Sequence, residues 1–272
     1  MCTQYYIMKI IDCFTFYNEI ELLKYRLNIL HEIVDYFVIV ESTHTHIGNE
    51  KPLFFQENVT QFEQFRNKII HVIVDDIPFI QPNVDVSKNQ QWENEKFQRN
   101  CISRGIANLA LNDNDYITVC DLDEIPDPTT LLQIKASNSP LRENYAFEMD
   151  FYYYNLTCQI KSKWYLAKII PFSAFKQFAT CEQIRQHKCN AIRRGGWHLS
   201  YFGDELFVKN KLHNFAHQEF NNDKYTTVEN IAQKIKDKTD LFGRQWNQIV
   251  NLPIKENHYL PPHYTQYLSA FM

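Results

Sequence analysis

Between residues 5 and 124 the chain carries four apolar runs, YYIMKIIDCFTF, DYFVIVEST, KIIHVIVDD and YITVCDLDE, and segments with helical spacing stand among them. Strands that are apolar at successive positions need cover on both faces, and helices between parallel strands supply it. In NEIELLKYRLNILHEIV, residues Ile20, Leu23, Leu27, Leu30 and Val34 recur at three-to-four spacing and form one helical face. The stretch from Gln91 to Ala110 carries Trp92, Phe97, Cys101 and Ile106 roughly on one side. The pattern predicts an α/β fold, a mostly parallel central sheet flanked by helices.

The second half is less regular. NYAFEMDFYYYNL and WYLAKIIPFSAFKQF read as extended, followed by CEQIRQHK, the glycine-containing RRGGWHLSYFGDE and a helix from about Glu205 to Glu219. A polar helix, TVENIAQKIKDKTDLF, and a proline-containing tail finish the chain. With no repeat and no linker, the expectation is one domain over 1–222, with 223–272 a peripheral helix and tail packed on it.

A net charge of -4 gives no broad basic field, so nucleic acid is not an expected partner. The seven cysteines are scattered without a CxxC pair, which fits free thiols in a reducing compartment. No window approaches the roughly 20 apolar residues that span a bilayer, and the start lacks a signal-peptide pattern. A soluble, cytoplasmic protein without an integral membrane segment is expected, and Asn58-Val-Thr60 and Asn155-Leu-Thr157 are then chance matches to the glycosylation triplet. Nothing fixes an oligomeric state.

Open α/β sheets bind ligands at the carboxyl ends of their strands. The fourth run ends there in Asp121, Asp123 and Glu124. Alternate strand residues share a face, which sets Asp121 and Asp123 about 7 Å apart. Two unpaired carboxylates that close repel each other unless a cation sits with them. A hard divalent ion, Mn²⁺ or Mg²⁺, suits such oxygens and leaves positions for phosphate. Asp127-Pro128-Thr129, by contrast, reads as a helix cap. The haloacid-dehalogenase-like phosphatases also use D-x-D after a strand, but on the first strand of the domain, whereas here at least three strands come earlier.

With these residues in view the chain resembles glycosyltransferase family 17, which includes N-acetylglucosaminyltransferases. The resemblance is carried by DCFTFYNEIELLKYRLNIL, DYFVIVEST, WENEKFQRN, DLDEIP, GGWHLSYFG and FAHQEFN, in the family's order from about residue 10 to 222. It implies a GT-A (Rossmann-like) fold, a nucleotide-sugar donor of the UDP-N-acetylglucosamine kind, a glycan acceptor, a divalent metal, and inversion at the anomeric carbon. Asp123 would hold the metal, and Asp121 the ribose or a metal-bound water. Arg99 would pair with the carboxylates or a phosphate, with plain surface solvation as its alternative.

Inversion in one step needs a base on the acceptor hydroxyl. The resemblance directs attention to the helix start after the glycine loop, with Asp204 first and Glu205 second. The alternative for both is that they complement the helix dipole. Glu182 and Asp150 are weaker candidates. His217 is favoured over His198 as a metal or phosphate ligand, with a structural hydrogen-bonding role open for each, and the His-Thr-His at 44–46 is read as loop polarity. Phe14, Thr15 and Glu41 would line the nucleoside pocket. Tyr152, Tyr153 and Trp197 would stack on sugars, with a core position as the competing reading. The rival functions are a metal-dependent phosphohydrolase and a carbohydrate-binding protein with a degenerate transferase fold.

Overall fold

The computed structural model describes residues 8–245 and 247–272. The first residues of the opening apolar run and Cys2 lie outside them. The chain alternates as its pattern requires: β1 (Ile10–Phe16), α1 (Ile20–Leu30), β2 (Tyr36–Ser42), β3 (Ile69–Val74), α2 (Gln90–Asn100), α3 (Ile102–Ile106) and β4 (Tyr116–Asp121). β1 pairs in parallel with β2 and β4, and β2 with β3.

The period of two along β1 explains the two-sided burial. Ile10 and Phe14 enter one apolar cluster together with Leu23 and Leu27 of α1, whereas Ile11 and Cys13 enter a second with Ile102 and Ile106 of α3. Leu23, Leu27, Leu30 and Val34 are fully buried, so the helical face read from spacing is the face that packs. At about 25 cal/mol per Å² of apolar area, each such side chain contributes roughly 1.5–3 kcal/mol.

One residue on that helix departs from the pattern. Arg26 is fully buried and pairs with Asp12 of β1, Nε to Oδ2 at 2.8 Å and Nη2 to Oδ1 at 2.7 Å. Its Nη1 donates to the carbonyls of Asp121, Leu122 and Glu124 at 3.1, 3.0 and 2.7 Å. A buried guanidinium thereby fixes the backbone of the acidic turn.

The second half adds β5 (Glu124–Pro126), α4 (Pro128–Ala136), β6 (Tyr145–Tyr153), β7 (Cys158–Trp164), β8 (Lys168–Pro171), α5 (Cys181–Gln186), β9 (Ala191–Ser200), α6 (Glu205–Asn214), α7 (Val228–Lys236) and β10 (Ile249–Asn251). The sheet order is β10-β7-β6-β8-β4-β1-β2-β3, with β9 against β5 and β6. Parallel pairing dominates the first half; β8 joins β4 antiparallel and begins a mixed region. Asp127 caps α4 by accepting from Thr129 N at 2.8 Å, as the sequence indicates. The helix expected from Glu205 to Glu219 stops at Asn214.

Gly196 is where β9 crosses β5. Its φ is +139°, and a Cβ there would stand 2.1 Å from the Ile125 carbonyl oxygen, so only glycine lets the strands approach. The tail closes over this region: Trp197 Nε1 donates to Tyr259 O at 3.0 Å, and Tyr25 packs on Tyr267. Six cysteines of the described residues are free thiols, five of them buried. No helix of the described residues is long and apolar enough to cross a membrane.

Candidate active site

The carboxyl ends of β1, β2 and β4 open on a cavity of about 890 Å³, bounded on the far side by β6, β7, β9 and α6. Its volume falls in the range of ligand sites, roughly 300–1,000 Å³. Seven Lys and Arg side chains face it against five Asp and Glu, in a chain whose net charge is -4. Positive charge is thus concentrated where an anionic ligand would sit.

The acidic turn divides. Glu124 is fully buried and points inward, accepting from Arg185 through both oxygens at 2.7 Å, from Trp164 Nε1 at 2.5 Å and from Asp121 N at 2.8 Å. Asp121 faces the cavity but both its oxygens are engaged, Oδ1 by Arg99 at 3.1 Å and Thr15 Oγ1 at 3.1 Å, Oδ2 by Arg185 at 2.7 Å. Burial alone would raise the Asp121 pKa, but Arg185 and then Arg99 override it and hold the carboxyl well below the usual range. Arg99 in turn holds Glu182 at 2.5 Å and Glu95 at 2.8 Å.

Asp123 sits beside Lys211 of α6, whose Nζ donates to Oδ2 at 3.1 Å and also reaches Glu19 Oε1 at 3.4 Å. His198 Nε2 stands 3.5 Å from Asp123 Oδ1. Burial would raise the Asp123 pKa, but Lys211 and His198 bring it down far below the carboxylate range. Burial would lower that of Lys211, and Asp123 with Glu19 raises it above the usual lysine value.

This arrangement tests the expected Mn²⁺ or Mg²⁺ site. An ion held by one or two carboxylates plus phosphate would have to take Asp121 from two guanidinium groups or Asp123 from Lys211. At an effective dielectric near 20, a divalent ion about 4 Å from the Lys211 ammonium is repelled by roughly 8 kcal/mol. Among the described residues no three His, Cys, Asp or Glu side chains gather as a ligand set. The side chains therefore do not fit the metal that the D-x-D spacing suggests, because protein cations already fill the positions beside both carboxylates.

Several expected site residues are placed elsewhere. Asp204 is the cap of α6, accepting from Phe207 N at 2.8 Å, and neither it nor Glu205 lines the cavity. At this helix start the acidic pattern serves the helix terminus, which is the alternative that the sequence left open for Asp204. Phe14 is fully buried beneath the Arg26 guanidinium. Glu41 is fully buried, accepting from Phe55 N at 3.1 Å and paired with His71 Nε2 at 3.0 Å. Trp197 and Tyr152 are core side chains. Thr15, Arg99, Tyr153, His198 and His217 do line the cavity, but His217 packs against Trp92 and pairs with Glu219 Oε1 at 2.7 Å instead of joining Asp123. Asp150 accepts from Gln159 at 2.7 Å and from Lys163 and stays out of the lining.

The far wall is aromatic. Phe151 stacks on His198 at 4.5 Å and 9°, Trp164 packs on the same imidazole at 4.4 Å, and Phe220 stacks on Phe242 at 3.8 Å. Tyr201 holds a left-handed backbone, φ +58°, as the chain turns from β9 toward α6, and meets Tyr153 edge-on. Such rings suit the apolar faces of sugars. Trp164, Arg185 and Lys211 escaped the sequence reading, because each acts through partners distant in sequence.

An α/β fold with its cavity at the carboxyl ends of parallel strands defines a ligand-binding class that includes many transferases. The chain belongs to glycosyltransferase family 17, whose family description matches residues 3–248. Over 145 residues it is 30% identical to beta-1,4-mannosyl-glycoprotein 4-beta-N-acetylglucosaminyltransferases of Rattus norvegicus, Homo sapiens and Mus musculus. Each match covers 52% of this chain and 26% of the relative, so the chain aligns with about a quarter of those proteins. A solved 4-diphosphocytidyl-2C-methyl-D-erythritol synthase of Anaerococcus prevotii overlies 78% of this chain and 99% of its own at 8% identity, with a TM-score of 0.40, a likeness that carries no argument.

Proposed function

We propose that the cavity binds a UDP-sugar, UDP-N-acetylglucosamine in the first instance, and transfers the sugar to a hydroxyl of a glycan acceptor. The observation that carries this reading is the composition of one cavity in a family 17 chain. Lys and Arg outnumber Asp and Glu in its lining, and aromatic side chains form its far wall. The activity named for those relatives supports N-acetylglucosamine as the sugar.

In this reading the nucleoside occupies the space between Thr15, Phe16 and residues 44–46, the diphosphate faces the cationic side chains, and the acceptor lies against the aromatic wall. The acceptor oxygen bonds to the anomeric carbon as the bond from that carbon to the β-phosphate oxygen breaks. The bonding electron pair leaves with UDP. The hydroxyl proton goes to a cavity carboxylate. Glu182 is proposed for this role, because it meets a single basic side chain, Arg99 at 2.5 Å, whereas Asp121 and Asp123 lie each between two and Glu95 has both Arg99 and His46 beside it. Glu19 is the alternative, set apart by the same variant experiment. The expected divalent ion forms no part of the proposal, since the side chains present do not fit it.

Titration calorimetry with UDP and UDP-sugars tests the binding. A UDP-sugar that binds, with binding weakened by Tyr201→Ala in the cavity and left intact by Leu132→Ala on the surface, supports the reading. Absence of binding by every nucleotide sugar overturns it.

A further inference from the structure

The two cavity aspartates are each matched by protein cations, and the cations differ in how they are held. Arg99 and Arg185 are pinned by several partners apiece: Arg99 by Glu95, Asp121 and Glu182, Arg185 by Asp121 and both oxygens of Glu124. Lys211 is not pinned in this way. Its ammonium reaches Asp123 and Glu19 at 3.1 and 3.4 Å, its side chain is 20% exposed toward the cavity, and a primary ammonium has three donors. It also stands over the face of Tyr201, 5.6 Å from the ring centre.

We infer that Lys211, on the C-terminal half of α6, supplies the positive charge against the donor's diphosphate that a divalent metal supplies elsewhere, and that Asp123 of the D-x-D pair, with Glu19, positions this lysine. The inference rests on the nucleotide-sugar reading of the cavity. A developing diphosphate leaving group can be stabilised by a Lys or Arg clamp as well as by a metal ion, since what lowers the barrier is preorganised charge. Asp123 and Glu19 take two of the three Lys211 donors, which leaves one for a phosphate oxygen. Asp121 anchors Arg99 and Arg185, so the carboxylates hold protein cations in the cavity lining instead of forming a ligand cage.

The test is titration of the protein with UDP, in EDTA and again with Mn²⁺, joined to UDP release from the UDP-sugar under both conditions. Wild type is expected to bind UDP in EDTA with no more than a small gain on adding Mn²⁺. Lys211→Met is expected to lose about 10- to 100-fold in UDP affinity, the worth of one charged hydrogen bond, in both conditions. Lys211→Arg should recover most of that loss. Because Lys211→Met strands Asp123, its melting temperature is recorded, and Lys211→Met/Asp123→Asn is titrated beside it; restored folding with the affinity still lost sustains the role of Lys211. Wild-type binding that appears only with Mn²⁺ and is removed by EDTA overturns the inference while leaving the transferase reading in place. Unchanged affinity in a folded Lys211→Met overturns it as well. No UDP binding in either condition sinks both.

Discussion

Arg185 Nη2 lies 2.7 Å from Asp121 Oδ2, joining a helix residue to a strand tip 64 positions earlier in the chain, and the same guanidinium holds both oxygens of the buried Glu124. Removing it strands Glu124, a fully buried carboxylate whose other partners are Trp164 and the Asp121 amide. Arg185→Met should therefore destabilise the protein by about 3–5 kcal/mol, read by denaturant unfolding. Arg185→Lys should recover little, because one ammonium cannot reproduce the fork.

Asp204 caps α6 and stands outside the cavity. Asp204→Ala should cost about 1 kcal/mol of stability and leave turnover unchanged. A folded Asp204→Ala protein without turnover would return this residue to the reaction.

Glu182 faces the cavity from the first turn of α5. Glu182→Gln should keep UDP-sugar binding and lower turnover on the order of 10²- to 10⁴-fold. Full turnover in this variant, with loss in Glu19→Gln, would move the proton acceptor to Glu19.

The pH dependence of stability follows from the sign of the shifts. Asp121 and Asp123 are held below the usual carboxylate value in the folded protein. Their stabilisation is complete above about pH 4 and is lost as pH falls below the unfolded carboxyl pKa. Lys211 is shifted upward, so its share is complete below about pH 10 and fades above. The melting-temperature gap between wild type and Asp123→Asn should shrink on acidification from about pH 5 to pH 3. A gap that stays constant would contradict the pairing with Lys211.

Gly196 admits no side chain where β9 passes β5. Gly196→Ala places a methyl against the Ile125 carbonyl and should cost at least about 1–3 kcal/mol, seen as a lowered unfolding midpoint.

The strands were legible because burial on both faces leaves an uninterrupted apolar run, and α1 because its apolar spacing matches the helix period. Asp121 and Asp123 reach the cavity as their place at the end of β4 suggests. Arg26 was illegible, since a basic residue among helix leucines reads the same whether solvated or paired with Asp12. The acidic start of α6 is ambiguous for a related reason: a cap and a proton acceptor are written with the same residues, and Asp204 is found as the cap. For Trp197 the sequence left sugar stacking and a core position both open; its indole N–H meets the Tyr259 carbonyl, a partner 62 positions away that no local pattern names. Cations decided the character of the acidic turn, and Arg185 and Lys211 approach it only through the folded chain.

Phosphorus NMR of the protein incubated with UDP-N-acetylglucosamine and a panel of oligosaccharides tests the central claim most directly. The account predicts that UDP accumulates in step with acceptor carrying one added N-acetylglucosamine. Release of UMP and a sugar phosphate, or a donor that stays intact with every acceptor, would contradict it.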